Sequence, residues 1–122
     1  MNINTEQLEG IVVAHLQGDA LDASNAKEFK AKVAALMTPG TKLIFELSSL
    51  KFVDSSGLGA LLSCLRQLNA SGGALKLCAM VKPVRALFEL VRMHRVFEIF
   101  NTQEEAIRSC KGEVLDAAGF GD

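Results

Sequence analysis

Nowhere in this chain of 122 residues does an apolar run approach the roughly 20 residues that a helix needs to cross a bilayer. Leu43 to Phe45 and Leu58 to Leu62 are among its longest, and no membrane span is expected. An excess of charge is missing as well. Thirteen Lys and Arg against 14 Asp and Glu leave a formal net charge of -1, which offers no field to draw a phosphate backbone, so nucleic acid is not an expected partner. The start, Met1-Asn2-Ile3-Asn4-Thr5-Glu6, has no basic region followed by an apolar run, so no secretion signal is expected and the cytoplasm is the expected compartment.

Cysteine is scarce and unpaired. Cys64, Cys78 and Cys110 are odd in number and lack metal-ligand or redox-pair spacing, so they read as small packing residues in a reducing compartment, with no metal site. A redox-sensing thiol needs a low-pKa, exposed thiolate, and no neighbouring sequence clearly supplies one. The phosphate-cradling pattern Gly-x-x-x-x-Gly-Lys-Ser is absent, and Gly57-Leu58-Gly59 alone is weak evidence for a nucleotide site, so no cofactor is expected. Also absent is the Gly-x-Ser-x-Gly turn that exposes a hydrolase serine. The only histidines are His15, inside a predicted strand, and His94, near Arg92 and Arg95, and neither is a compelling base for a nucleophilic Ser55 or Ser56. The chain is therefore expected not to be an enzyme.

What is present is a globular composition, 49% hydrophobic and 22% charged, at a length that suits one domain burying roughly two-thirds of its unfolded surface. Ile11 to Gln17, bounded by Gly10 and Gly18, is β-rich and follows a weaker run near Ile3, which predicts an N-terminal hairpin. Ser24 or Asp22 is placed to cap a helix carrying Ala26, Phe29, Val33, Leu36 and Met37, stopped by Pro39-Gly40. Leu43 to Leu47 predicts a central strand covered on both faces. Leu58, Leu61, Leu62, Leu65 and Leu68 form the stripe of a second helix that ends at Ser71-Gly72-Gly73.

Ala74 to Met80 predicts a strand, and Pro83 opens a third helix with Val84, Leu87, Phe88 and Val91. Val96 to Phe100 predicts another strand, and Thr102-Gln103-Glu104-Glu105 has the pattern of a capping box before a helix with Ala106, Ile107 and Cys110 inside. The alternation predicts an α/β fold, with a mixed, mainly parallel sheet of about five strands and about four helices packed against it. Residues 1–111 form the expected domain, and 112–122 an expected tail that frays or adds a loose turn.

In such sheets functional sites gather where strands end and helices begin, and Asp54-Ser55-Ser56-Gly57 lies at one such junction. The plain reading is that Asp54 or Ser55 caps the second helix, worth about 1 kcal/mol. The wider pattern goes further. Gly18-Asp19-Ala20-Leu21 leads into Asp22, and Leu47-Ser48-Ser49-Leu50-Lys51-Phe52-Val53 leads into Asp54-Ser55-Ser56-Gly57-Leu58-Gly59. With these segments the chain resembles the anti-sigma-factor antagonists, the small STAS-domain proteins of bacterial partner-switching systems, from Ile3 to Cys110.

The resemblance implies a STAS-like fold and a phosphorylation switch. In that family the serine directly before the glycine is phosphorylated, which by match is Ser56. An anti-sigma factor that is itself a serine kinase supplies the ATP, phosphorylates the antagonist and releases it, and a serine phosphatase restores the binding form. Asp22, Asp54, Ser55, Ser56, Gly57 and Leu58 are the implied partner-binding residues. Asp22 reads equally as an orienting group for Ser56 and as a helix cap.

Two rivals remain open. A receiver domain phosphorylated on Asp54 lacks its early acidic pair and later lysine at matching junctions. A STAS domain with another target would regulate a signalling or secretion phosphatase or kinase, or serve as the soluble subunit of a lipid transporter. The basic stretch of Lys82, Arg85, Arg92 and Arg95 reads as a solvated helix face before it reads as a dock for an acidic partner.

Overall fold

The structure, a computed structural model, describes residues 1–112. Strands β1 (Asn2–Leu8) and β2 (Ile11–Gln17) pair antiparallel from Asn2 opposite Gln17 to Leu8 opposite Ile11. Their tight turn places both Glu9 and Gly10 at positive φ, 49° and 83°, the pair of left-handed conformations that a two-residue hairpin turn demands. The chain then alternates. A short β3 (Ala20–Leu21) precedes α1 (Ala26–Ala34), β4 (Lys42–Glu46), a short β5 (Phe52–Val53) and α2 (Ser55–Ala70). It continues with β6 (Ala74–Cys78), α3 (Lys82–Leu90), a 3-10 turn (Met93–Arg95), β7 (Glu98–Phe100) and α4 (Gln103–Cys110).

The main sheet has the order β1-β2-β4-β6-β7, with β1 antiparallel to its neighbour and the other pairings parallel. The expected mixed, mainly parallel sheet with helices is therefore found. β4 is its middle strand, and Leu43, Ile44 and Phe45 are all completely buried because side chains alternate between two covered faces. Leu43 and Phe45 join the larger core with Phe29 and Val33 of α1, Leu61 and Leu68 of α2, and Phe88 of α3. Ile44 turns the other way, into a smaller core with Ile11, Val13, Cys78 and the α4 residues Ala106 and Cys110. Phe29 and Phe45 meet edge to face at 5.6 Å between ring centres.

Several predicted boundaries shift for local reasons. α1 ends at Ala34, and Leu36 and Met37 reach the core from a tightened turn in which their amides bond the carbonyls of Val33 and Ala34. The strand expected to reach Met80 stops at Cys78, because Ala79 takes a φ of 62°. The strand expected from Val96 begins only at Glu98, since Arg92 at φ 63° starts the 3-10 turn that occupies the preceding residues. Thr102 and Glu105 do form the capping box of α4, with the Glu105 amide donating to Thr102 Oγ1 at 3.1 Å. Beyond Gly112, the expected tail lies outside the described residues.

Lys76 of β6 is buried beneath α4 and is fully accounted for: its ammonium donates to Ser109 Oγ at 2.6 Å, lies 3.3 Å from Glu98 and sits over the Phe100 ring. Among the described residues no helix is long and apolar enough to cross a membrane.

All three cysteines are free and buried, as the packing reading expects. Burial pushes the Cys64 thiol up to about 11 and that of Cys78 to about 12. The native chain should therefore show essentially no thiol reactive toward an aromatic disulfide reagent at pH 8, and all three after unfolding in urea. Because these folded-state values lie above the ordinary value of 9.0, stability should be at its full value below pH 9 and fall as pH rises towards 11 to 12. A urea midpoint that is flat across that alkaline range contradicts the assignment.

Candidate functional site

The site is assembled by a second, two-stranded sheet that the sequence pattern did not reveal. β3 and β5 pair in parallel, Ala20 with Phe52 and Leu21 with Val53. The Asp19 carbonyl accepts the amides of Lys51 and Phe52 at 2.7 and 3.0 Å, and the Leu21 carbonyl accepts that of Asp54 at 3.3 Å. Two residues per strand are too few to show a period, which is why neither was legible. The pairing has one main result: the residues that follow β3 and β5, Asp22 and Asp54, leave the small sheet side by side.

Asp54 stands at the N-cap of α2 with an extended backbone, φ -102° and ψ -173°. Its Oδ1 accepts the Gly57 amide at 2.9 Å, the usual cap bond to the third helical residue. Its Oδ2 accepts the Ala23 amide at 3.2 Å, across 31 residues of chain. One carboxylate thus caps a helix and ties down the β3–α1 loop. Of the two caps that the sequence offered for α2, Asp54 is the one used, and Ser55 instead occupies the first helical position.

Gly57 is buried where α2 crosses β3. A Cβ there would stand 2.2 Å from the Leu21 carbonyl oxygen and 2.9 Å from Val53 Cγ1, so only glycine allows the approach. Leu58 is half-buried against the larger core. Ser55 and Ser56 are exposed at the first two helical positions. Among the described residues their amides have no hydrogen-bond partner, and the first turn carries no acidic side chain. The helix start therefore presents uncompensated donors beside the Ser56 hydroxyl, a setting that favours an anion.

The expectation that Asp22 or Ser24 caps α1 is corrected. Asn25 holds that position without a side-chain cap bond. Asp22 Oδ1 accepts from the Ser24 amide at 2.9 Å and from the Ser24 hydroxyl at 2.6 Å, closing a local turn in which the Asp22 carbonyl receives the amides of Asn25 and Ala26. The Ser24 hydroxyl, and then its amide, hold the Asp22 carboxyl below its ordinary value. Among the described residues Asp22 makes no hydrogen bond to Ser56. Asn25, not singled out from sequence, pins the loop by accepting the Asp22 amide at 2.9 Å and donating to the Ala20 carbonyl at 2.8 Å.

His15 lies on the sheet face covered by α4, opposite α2, hydrogen-bonded to Glu6 at 2.7 Å and 3.5 Å from Glu46. His94 is exposed in the 3-10 turn. Neither is placed as a base for the serines of α2. No cluster of three or more His, Cys, Asp or Glu able to hold a metal occurs among the described residues.

The fold and this junction define a STAS domain. The family's profile matches residues 2–106, and the chain belongs to the STAS domain family. It is 30% identical over 112 residues to BtrV of Bordetella bronchiseptica, a proposed anti-sigma factor antagonist, spanning 91% of this chain and 96% of BtrV. Among solved structures, the anti-sigma factor antagonist SpoIIAA in its unphosphorylated form superposes with a TM-score of 0.73 at 29% identity, over 93% of this chain and 100% of that one. The phosphorylated form of SpoIIAA, a Bacillus cell fate determinant, gives a TM-score of 0.64 at 28% identity, over 88% of this chain and 98% of that one.

The geometry fixes the cost of losing each support. Gly57→Ala should destabilise the chain by about 1–3 kcal/mol, because the clash is with backbone and no side-chain rotation relieves it. Asp54→Ala should lose about 1–2 kcal/mol, and Asp54→Asn less, since an amide oxygen still accepts from Gly57. Urea unfolding of the three variants checks the order; an Asp54→Ala protein as stable as the parent contradicts the bridging role.

Proposed function

We propose that this chain is an anti-sigma-factor antagonist: a phosphorylation-controlled binding protein rather than an enzyme, with Ser56 as the acceptor. The observation that carries the reading is the Ser56 hydroxyl standing exposed at the second position of α2, beside unpartnered amides, on a helix start fixed by Asp54 and Gly57. The relatives named as antagonists support the same reading.

Phosphorylation adds about -1.5 to -2 charges and strong acceptor oxygens. At this helix start the fold accommodates them, with about 0.3–1 kcal/mol of favourable interaction from the dipole and with amides free to bond the oxygens. A partner packed on the same surface must desolvate that charge, and each 1.4 kcal/mol it loses is about tenfold in affinity. The switch is therefore a local change of charge and shape at an interface, with the backbone kept. That SpoIIAA has been solved both with and without its phosphate, in folds that this chain matches, supports a switch of that kind.

The partner cycle follows from this reading. A serine kinase of the anti-sigma type brings the ATP, binds the unmodified chain and releases the phosphorylated one, and a serine phosphatase reverses the mark. The docking surface comprises Ser55, Ser56 and the exposed part of Leu58, with Asp22 on the adjoining loop. Asp54 and Gly57 act from beneath it, by holding the helix start in place.

Incubation with such a kinase and ATP should label the wild type and Ser55→Ala with one acid-stable phosphate and leave Ser56→Ala unlabelled. The phosphorylated chain should bind the kinase at least about tenfold more weakly with an unchanged far-UV circular dichroism spectrum. Labelling that persists in Ser56→Ala overturns the assignment, and an acid-labile phosphate moves it to Asp54.

A further inference from the structure

Beside Ser56 a groove of about 620 Å³ runs between α1 and α2. Its floor is made of small residues, Ala26 of α1 with Gly59, Ala60 and Ser63 of α2, and a Cβ at Gly59 would meet nothing within 4 Å. Its walls carry Lys27, Lys30 and Arg66, all exposed, and none of the residues lining it is acidic. No ion pair engages these three cations among the described residues. Glu28, the nearest acidic residue along α1, is turned to other partners, the N-terminal ammonium at 3.3 Å and Lys32 at 3.8 Å. In a chain whose formal net charge is -1, a concave surface with three unpaired cations and no carboxylate is a local arrangement and not a reflection of bulk charge.

We infer that this groove, continuous with Ser56, docks an acidic polypeptide segment of the kinase partner, its carboxylates meeting Lys27, Lys30 and Arg66. Charge complementarity names the occupant, and the floor of small side chains lets a backbone lie close enough for long cationic side chains to close over it. A phosphate on Ser56 enters the end of the same groove and competes with those carboxylates for the cations. Release then comes from substitution of one anion for another, as well as from the desolvation cost at the helix start.

The inference rests on the proposed function, so the test separates the two. Affinity for the ADP-loaded kinase is measured for the wild type, Lys30→Glu, Arg66→Glu, the double variant, and Arg95→Glu as a remote control on the exposed 3-10 turn, with thermal melts to verify folding. The double variant should bind at least about tenfold more weakly and lose much of the salt dependence of the wild type, while Arg95→Glu stays within about twofold. A double variant that loses less than tenfold, or a control that loses as much, overturns the groove assignment while leaving Ser56 phosphorylation standing. If the variants bind normally and only release on phosphorylation is blunted, the groove serves the phosphate and not a partner segment, which also overturns it. A wild-type chain that neither binds nor is phosphorylated by any such kinase instead removes the function on which the inference rests.

Discussion

Everything at the working end of this protein depends on one carboxylate accepting two amides. Asp54 Oδ1 takes the Gly57 amide and so begins α2; Oδ2 takes the Ala23 amide and so anchors the loop that begins α1. The two helices that wall the groove are thereby referenced to the same side chain. Beneath it, the parallel pairing of β3 with β5 supplies the close approach, and Gly57 supplies the absence of a side chain that lets α2 settle on the Leu21 carbonyl. Ser56 is presented by this arrangement and takes no part in holding it together. In the proposed switch, that separation lets the serine be modified without unmaking its own platform.

The proposed switch works through its surface. Among the described residues the larger core on the α2 side is apolar apart from the Cys64 thiol, with Phe29, Phe45 and Phe88 fully buried, and a close-packed interior of that kind deforms little. A charge added at the helix start changes what the surface offers and leaves the packing below it alone. The same logic explains why the groove cations matter. Lys27, Lys30 and Arg66 are unpaired among the described residues, so an anion arriving at Ser56 or from a partner finds cations that need not first be drawn from an internal ion pair.

Most of the architecture was legible because it is written in periods. The stripe from Leu58 to Leu68, the apolar run at Leu43 and the capping box at Thr102 each repeat a pattern over enough residues to define an element, and each was found. The Asp-Ser-Ser-Gly-Leu-Gly segment identified the junction. What failed to show in sequence was whatever depended on contacts between distant residues. β3 and β5 have two residues each, and the Ala23 amide bond to Asp54 spans 31 positions, so neither has a local signature. Asp22 reads as a cap from its type and position alone. The adjacent Ser24 and Asn25 side chains redirect it into a turn, an outcome set by geometry among three neighbouring polar residues.

The opposite face of the sheet follows different physics, and the contrast bounds the site. α4 buries Ala106 and Cys110, with Ile107 packed partly buried beside them, and polar ties add to this small apolar contact. Lys42 donates to the Cys110 carbonyl at 2.8 Å, Lys76 reaches Ser109, and Glu6 accepts from both His15 and Gln103. The His15 bond, followed by that of Gln103, holds the Glu6 carboxyl below its ordinary value. Protonation of Glu6 at low pH therefore weakens these contacts, since the contribution is present above the ordinary carboxylate range and lost as pH falls through the lowered value. Among the described residues none of these side chains hydrogen-bonds to α2 or to the β3–β5 pair. The polar contacts of Glu6, Lys42 and Lys76 thus lie on the α4 side of the sheet, while Lys27, Lys30 and Arg66 on the opposite side form no ion pair among the described residues.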